Sequence, residues 1–217
     1  MRTWTAEQLR RFLEQVEGDR LYAAWLLAVS TGMRRGEVLG LPWSDVDLAA
    51  ARLAVRQTLV LVDGRPALSE PKTPRSRRTI DLDARTVDEL RRWRVHQTRE
   101  RREWGPAWHD RGLVFTREDG NAVHPDGWSG AFERHTRAAG LSRIRLHDLR
   151  HTHATLMLGA GVNPKVTSER LGHHSTAFTL DVYAQVLPGM QQQAAEQIAA
   201  LVFSPPDART QSHPPAS

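Results

Sequence analysis

The chain has 217 residues, of which 40% are hydrophobic and 25% charged, with no cysteine and a formal net charge of +5. This composition is typical of one soluble globular domain or two small ones, and it excludes disulfides, thiol nucleophiles and cysteine-ligated zinc. With no apolar run of about 18 residues to span a membrane and no signal-peptide pattern in the first residues, we expect a cytoplasmic protein, whose isoelectric point of about 10.5 permits nucleic-acid binding without requiring it.

The N-terminal part of the chain predicts three helices. Thr5 is a typical N-cap, and the apolar residues after it recur at helical spacing as far as Gly18. Residues 21–30 are apolar nearly all round, which is typical of a buried helix. Gly32 is expected to end that helix, and a short helix over residues 34–39 is expected to follow it.

Residues 52–82 have the character of β-structure. Short β-type runs occupy 52–55, 58–62 and 78–82, and Asp63-Gly64 is a turn signal between them. Further helices are predicted at about 85–103, 125–139, 146–160, 164–171, 176–186 and 190–202. We therefore expect a mainly α-helical α+β fold with a small antiparallel sheet near residues 50–82, in one domain over residues 1–203. The polar tail, residues 204–217, is expected to be disordered.

Four short segments carry residues that are suited to chemistry. In the first, a glycine ends a buried helix just before an arginine, and in the second, a lysine lies at a predicted hairpin tip. In the third, a histidine and an arginine three positions apart would share one helix face, and in the fourth, a histidine precedes a tyrosine. Each signal alone is weak, because such residues usually form surface ion pairs or pack in a core. In chain order they are Arg34, Lys72, His147, Arg150, His173 and Tyr183.

The ordered set Arg, Lys, His-x-x-Arg, His, Tyr resembles the tyrosine recombinase family of the phage-integrase type. The catalytic domain of that family carries these residues in this order, and the resemblance extends from about Thr5 to Leu201. The local sequence also matches the family at 31–37, 146–153, 161–173 and 179–183. The resemblance implies site-specific DNA recombination or integration, in which a tyrosine attacks a DNA phosphodiester, forms a 3′-phosphotyrosyl bond and frees a 5′-hydroxyl.

The resemblance implies that Tyr183 is the nucleophile and that two arginines bind the phosphate. An unperturbed tyrosine pKa lies near 10, so Tyr183 would need a cationic pocket to become reactive. Arg34 and Arg150 would supply planar, permanently charged donors to the nonbridging oxygens. Glu37, three residues after Arg34, matches a family acidic position that is expected to orient that arginine.

The resemblance also implies groups for proton transfer. His147 would accept the tyrosine proton or donate to the phosphate, and His173 would donate to a nonbridging oxygen. Lys72 matches a general acid that protonates the departing 5′ oxygen, a role that arginine cannot fill because it does not lose its proton. Only Lys72 and Lys165 are lysines among 30 basic residues, which fits proton transfer at position 72. The phosphotyrosyl bond keeps the energy of the phosphodiester, so no ATP, metal or other cofactor is expected.

The remaining expectations concern partners. Double-stranded DNA is the implied substrate, and Arg75, Arg77 and Arg78 beside Lys72 are candidates for phosphate contacts. The arginines of the predicted helix 85–103 alternate with acidic residues, which favours a solvated, ion-paired face. The family further implies self-association on DNA, as a tetramer in the active synapse.

Family members usually carry an N-terminal core-binding domain that closes around the DNA. The catalytic-domain pattern begins almost at Met1 here, so we expect that domain to be absent and DNA binding by this chain alone to be weak. A topoisomerase-like relaxing enzyme and a catalytically silent DNA-binding relative are alternatives. A zinc hydrolase is a distant third, because His147 and His151 are spaced as in H-E-x-x-H while the glutamate is missing and Arg150 lies beside them.

Overall fold

A computed structural model of the chain describes residues 2–70 and 77–172, together with residues 195, 196, 198, 199, 202 and 203. The helices of the two long ranges are α1 (Ala6–Gln15), α2 (Tyr22–Thr31), α3 (Arg35–Leu39), α4 (Ala84–Trp104), α5 (Pro125–Ala138), α6 (Asp148–Gly159) and α7 (Pro164–Leu171). The strands are β1 (Val46–Asp47), β2 (Arg52–Val55), β3 (Thr58–Val62), β4 (Arg65–Ser69) and β5 (Arg78–Asp81). The mainly helical α+β prediction is confirmed.

The N-terminal helices form as their sequences predict. Thr5 caps α1 with a reciprocal pair of hydrogen bonds, since its hydroxyl accepts from the Gln8 amide at 3.2 Å and the Gln8 side chain accepts from the Thr5 amide at 2.9 Å. Helix α2 is buried, and it packs against α1, α3, α4 and α6. The helix that is apolar nearly all round is therefore buried in the domain, as predicted.

The β-structure differs from the single small sheet that was predicted. Strands β1, β2 and β5 form one antiparallel sheet, and β3 and β4 form a separate antiparallel hairpin. Asp63 and Gly64 make the predicted turn, both with positive φ. Strand β4 was not predicted, because it carries Pro66 and little apolar alternation, and it forms through pairing with β3.

A cluster of aromatic side chains joins the helices of the core. Trp25 of α2 stacks on Trp128 of α5 at 4.4 Å between ring centroids, and Phe12 of α1 meets Trp25 edge-on at 5.9 Å. The Trp4 amide donates to Thr152 Oγ1 at 3.1 Å, which ties the N-terminus to α6. Buried aromatic residues contribute large apolar areas, so this cluster fixes α2 and α6, whose ends form the site described below.

The remaining helix predictions have mixed outcomes. Helix α4 agrees with the predicted 85–103, and its solvated face carries the expected ion pairs, Arg91 with Asp88 and Arg92 with Glu89, each at 2.9 Å. Predicted helix 176–186 and the tail 204–217 lie outside the described residues. Within 190–202, residues 195, 196, 198, 199 and 202 are helical. No helix in the described part of the chain is long and apolar enough to cross a bilayer.

Candidate active site

The candidate site lies where two helices end and two others begin. Helices α2 and α7 are each followed by a glycine in the left-handed region, Gly32 and Gly172, both with φ of 64°. A Cβ on Gly32 would lie 2.6 Å from Cδ2 of Leu171, so the two helix ends meet at a distance that only glycine permits. Helices α3 and α6 start from the same region, with Arg34 and His147 at their N-cap positions.

The Glu37 carboxylate is the centre of this cluster. Its side chain is 5% exposed, and it accepts four hydrogen bonds from described residues. Arg34 donates to it with the backbone amide at 2.8 Å and with Nη1 at 2.7 Å. Arg78 donates with Nη1 at 3.1 Å and Nη2 at 2.8 Å. Burial alone would raise the pKa of Glu37, but the hydrogen bonds and charges of Arg78 and Arg34 lower it to about 2, so Glu37 is ionised at neutral pH.

Three successive carbonyls at the end of α7 each accept a hydrogen bond from a different arginine. Arg78 Nε donates to the Arg170 carbonyl at 2.7 Å, and Arg34 Nη2 donates to the Gly172 carbonyl at 3.3 Å. Between them, the Leu171 carbonyl accepts from Arg150 Nη2. The C-terminal end of a helix carries partial negative charge and unpaired carbonyls. The end of α7 therefore binds the three arginine side chains.

Arg150 lies in the first turn of α6 and is 3% exposed. Besides its bond to Leu171, it donates through Nη1 to the Gly32 carbonyl at 3.0 Å. Burial, followed by the positive charge of Arg34, lowers the pKa of Arg150 to about 9. The guanidinium therefore remains protonated at neutral pH.

His147 lies at the exposed edge of the same cluster. Partial burial, followed by the charge of Arg150, lowers its pKa, which favours the neutral imidazole near pH 7. Its ring meets that of His151 edge-on, with the centroids 5.0 Å apart. Asp148 is held by Arg145, whose backbone amide and guanidinium donate to it at 2.9 to 3.2 Å. This clamp fixes the start of α6, and the sequence interpretation had not identified it.

The other predicted site residues do not share one environment. Arg77 is exposed, and its guanidinium pairs with Glu70 at 2.9 Å. Arg78, predicted to contact DNA phosphates together with Arg77, has instead a side chain that is 6% exposed and bonded to Glu37 and α7. Because it is buried and engaged inside the protein, this geometry favours an internal role. Lys72, Arg75, His173 and Tyr183 lie outside the described residues.

A pattern in the sequence points to the buried position of Arg78. Side chains alternate between the two faces of a strand, so Arg78 shares a face with Ile80, which is 1% exposed. The apolar neighbour two positions away was therefore a signal that this arginine points inwards. Arg77, which precedes the strand, carries no such signal.

The described residues contain no cluster of metal ligands that would support the zinc-hydrolase alternative. Among residues 2–70 and 77–172 and the short C-terminal pieces, no group of three histidines or acidic residues could hold a metal ion. His147 and His151 lie in contact, but Asp148 between them is engaged by Arg145. The nearest charges to the histidine pair thus include arginines, which disfavour a cation there.

Comparison with known proteins places the chain in a family. The model of the phage integrase family matches residues 2–189. A tyrosine recombinase XerC-like protein of Caldanaerobacter subterraneus subsp. tengcongensis is 31% identical over 208 residues, covering 90% of this chain and 53% of the relative. The ICEBs1 integrase of Bacillus subtilis is 29% identical, covering 93% of this chain and 55% of the relative. The chain thus spans about half the length of the curated relatives it matches.

The fold is similar to that of a solved recombinase. The Tn1549 transposon integrase, in complex with transposon right end DNA, superposes with a TM-score of 0.78 over 92% of this chain and 66% of that chain, at 23% identity. The chain therefore belongs to the phage integrase family, and its fold is that of a tyrosine recombinase catalytic domain.

Proposed function

We propose that this chain is the catalytic part of a site-specific DNA recombinase, which cleaves and rejoins DNA through a 3′-phosphotyrosyl bond on Tyr183. The observation that carries the proposal is the cluster of three arginines around one carboxylate. Within the described residues, Arg34, Arg78 and Arg150 bring three positive charges to Glu37 and the end of α7. The excess positive charge fits an anionic ligand.

The exposure of the arginines indicates where such a ligand would bind. The side chain of Arg34 is 35% exposed, while those of Arg78 and Glu37 are buried behind it. Burial, and then the charge of Arg34, lower the pKa of Arg150 to about 9, so a phosphate bound beside this guanidinium would stabilise its charged form. A phosphodiester oxygen held by Arg34 and Arg150 would be stabilised most as charge gathers on it in the transition state.

The tyrosine content of the chain narrows the choice of nucleophile. The sequence has two tyrosines, Tyr22 and Tyr183. Tyr22 is 8% exposed, its hydroxyl accepts from Arg85 at 2.9 Å, and it lies at the start of α2. Since the arginine cluster adjoins the other end of that helix, about 15 Å away at 1.5 Å per residue, Tyr22 is unsuited to attack a phosphate there. Tyr183 remains, within the segment that matches the family.

The proposed reaction is metal-independent phosphoryl transfer. The Tyr183 oxygen bonds to phosphorus, the bond from phosphorus to the 5′ oxygen breaks, and Lys72 supplies a proton to that leaving oxygen. His147 accepts the tyrosine proton, a role that its lowered pKa favours because the imidazole is neutral near pH 7. His173, directly after Gly172, would donate to a nonbridging oxygen. The reverse reaction with a 5′-hydroxyl from another strand completes the exchange.

The proposed partners are double-stranded DNA and further copies of the chain. Arg77, which is exposed beside the cluster, and Arg75 are proposed to contact DNA phosphates. A tetramer on two DNA duplexes is proposed for the recombining complex. Because the proposed DNA contacts are to phosphates, the affinity of the chain for DNA is expected to fall steeply with salt.

A suicide-substrate assay tests this proposal. The protein is incubated at low salt, without added metal, with nicked DNA that carries the attachment site of its mobile element, and products are separated on a denaturing gel. We expect a covalent protein–DNA adduct that is lost in Tyr183→Phe and kept in the matched control Tyr22→Phe. An adduct that survives in Tyr183→Phe, or that is lost only in Tyr22→Phe, contradicts the assignment. Joining of two duplexes, rather than removal of supercoils alone, separates a recombinase from a topoisomerase-like enzyme.

A further inference from the structure

Arg78 is the side chain at which separate parts of the cluster meet. From β5 it bonds to Glu37 at the start of α3 with Nη1 and Nη2, and to the Arg170 carbonyl at the end of α7 with Nε. We propose that Arg78 is a positioning residue, which holds Glu37 against Arg34 and joins that pair to the end of α7. The inference rests on the proposed function for its effect on DNA cleavage.

The geometry of Arg78 requires an arginine. Its two terminal nitrogens meet the two oxygens of Glu37 in a fork, at 3.1 and 2.8 Å, while Nε reaches a third acceptor at 2.7 Å. A lysine ammonium is a single point of charge and has no planar fork to bridge these acceptors. Losing this side chain would therefore separate Glu37 from α7 as well as remove a charge.

The same side chain borders the turn that leads out of α7. A Cβ on Gly172 would lie 3.0 Å from Cδ of Arg78 and 3.1 Å from its Nη1, and the backbone there has a φ of +64°. The chain thus passes directly against Arg78 immediately before His173. Arg34 Nη2 donates to the carbonyl of this same glycine at 3.3 Å, so Arg78 and Arg34 together fix the end of α7.

Among the partners of Glu37, Arg78 lowers the pKa of its carboxyl most, ahead of Arg34. The side chain of Glu37 is 5% exposed, and a buried carboxyl without a partner takes up a proton. The charged groups that act on it are Arg34 at the start of α3, Arg78 on β5 and Arg150 on α6. On the neighbouring α5, Asp126 pairs with Arg35 at 3.0 Å instead. Without Arg78, the pKa of Glu37 should rise, and at a pH where Glu37 is protonated Arg34 would lose its ionic partner.

The test compares Arg78→Met, which keeps the side-chain length, with Arg78→Lys, which keeps the charge but not the fork. Arg56→Met is the control, because the Arg56 side chain is 68% exposed and pairs with Asp45, not with Glu37, at 3.2 Å. The rate of adduct formation is measured on suicide DNA from pH 5 to 8 and divided by the wild-type rate at each pH. This ratio removes titrations that the proteins share, including that of His147.

In Arg78→Met the pKa of Glu37 should be raised. Below that pKa we expect the rate relative to wild type to fall by about tenfold per pH unit, because only the ionised form of Glu37 orients Arg34. Arg78→Lys should show a smaller fall in the same direction, and the ratio for Arg56→Met should stay near one. Carbon-13 NMR of glutamate carboxyls, with Glu37 assigned from Glu37→Gln, should place the titration of Glu37 above pH 5 in Arg78→Met and below pH 3 in the wild type.

A ratio that does not change with pH, in folded protein, would overturn the proposal and leave Arg78 with a packing role. A Glu37 signal that still titrates below pH 3 in Arg78→Met would overturn it as well. Should Arg78→Met fail to fold, Arg78→Lys decides by the same two measurements. If the wild type forms no adduct, the proposed function fails, while the NMR titration still decides whether Arg78 controls Glu37.

Discussion

Two arginine-rich regions of this molecule differ in what their arginines contact. On α4, Arg91 and Arg92 are 56% and 75% exposed and pair with acidic residues three positions before them in the same helix. In the candidate site, Arg78 and Arg150 are nearly buried, and their partners come from α2, α3 and α7. The ion pairs of Arg91 and Arg92 lie within one helix, whereas the arginines of the candidate site join elements that are distant in sequence.

The comparison indicates that burial and shared acceptors, rather than the number of arginines, mark the site. An exposed ion pair contributes about 0–1 kcal/mol because water screens it. A buried guanidinium that loses its acceptors, or a buried carboxylate that loses its donors, costs several kcal/mol. Substitutions in the two regions should therefore differ strongly in effect, which the following predictions test in order of decreasing size.

The largest expected effect is that of Arg150→Lys. One ammonium group cannot replace the two guanidinium donors to Gly32 and Leu171 and also bind the proposed phosphate. We expect adduct formation to slow by about 100- to 1000-fold, by analogy with other electrostatic stabilisers. Single-turnover cleavage of suicide DNA measures the rate, and circular dichroism checks the fold.

The matched control on α4 is Arg91→Lys, which should change the rate less than twofold, because its ion pair with Asp88 is local and exposed. Equal losses of rate in the two variants would contradict the distinction between the regions. A normal rate in Arg150→Lys would show that the fork of Arg150 is not needed for cleavage.

The second prediction concerns the pH dependence of stability through Glu37. Its pKa is lowered to about 2 in the folded protein, because Arg78 and Arg34 outweigh the opposing effect of burial. Since the folded pKa lies below the unfolded value of about 4.5, the stabilisation is fully present above pH 4.5 and is lost as the pH falls through 2. As the pH falls from 4.5 to below 2, the loss in free energy of unfolding caused by Glu37→Gln should therefore become smaller by about 3 kcal/mol.

Urea unfolding of wild type and Glu37→Gln at a series of pH values measures this difference. Glu133→Gln is the control, because Glu133 forms an exposed pair with Arg143 at 3.4 Å, and its effect should be small and nearly constant with pH. If the difference in free energy of unfolding between Glu37→Gln and wild type does not vary with pH, the arginines do not lower the pKa of Glu37.

The smallest effect is expected for Arg92→Ala on α4. The pair of Arg92 with Glu89 is of the i,i+3 type and Arg92 is 75% exposed, so its loss should lower the free energy of unfolding by about 0.5 kcal/mol or less. Thermal or urea unfolding measures this, and the adduct rate should not change. A large loss of DNA cleavage in Arg92→Ala would show that α4 also contacts DNA, and would remove the contrast between the two regions.

Much of the fold, and the family to which the chain belongs, could be predicted from sequence alone. The N-cap at Thr5, the all-apolar α2, the Asp63-Gly64 turn and the helical range of α4 follow from local propensity and periodicity, which are written in neighbouring residues. The ordered set Arg, Lys, His-x-x-Arg, His, Tyr likewise predicted the family to which the chain belongs. Strand β4 could not be predicted in this way, because pairing with β3, and not its own pattern, makes it a strand.

Only the tertiary structure decided how the arginines are used. In the sequence, Arg77 and Arg78 are two adjacent basic residues near Lys72. In the structure, the Arg78 side chain is buried against Glu37, whereas that of Arg77 is exposed. Nor did the sequence indicate that three arginines from β5, α6 and the start of α3 would share the end of α7. The physical reason is that residue types carry chemistry, whereas burial and shared hydrogen-bond acceptors arise only when distant segments are brought together.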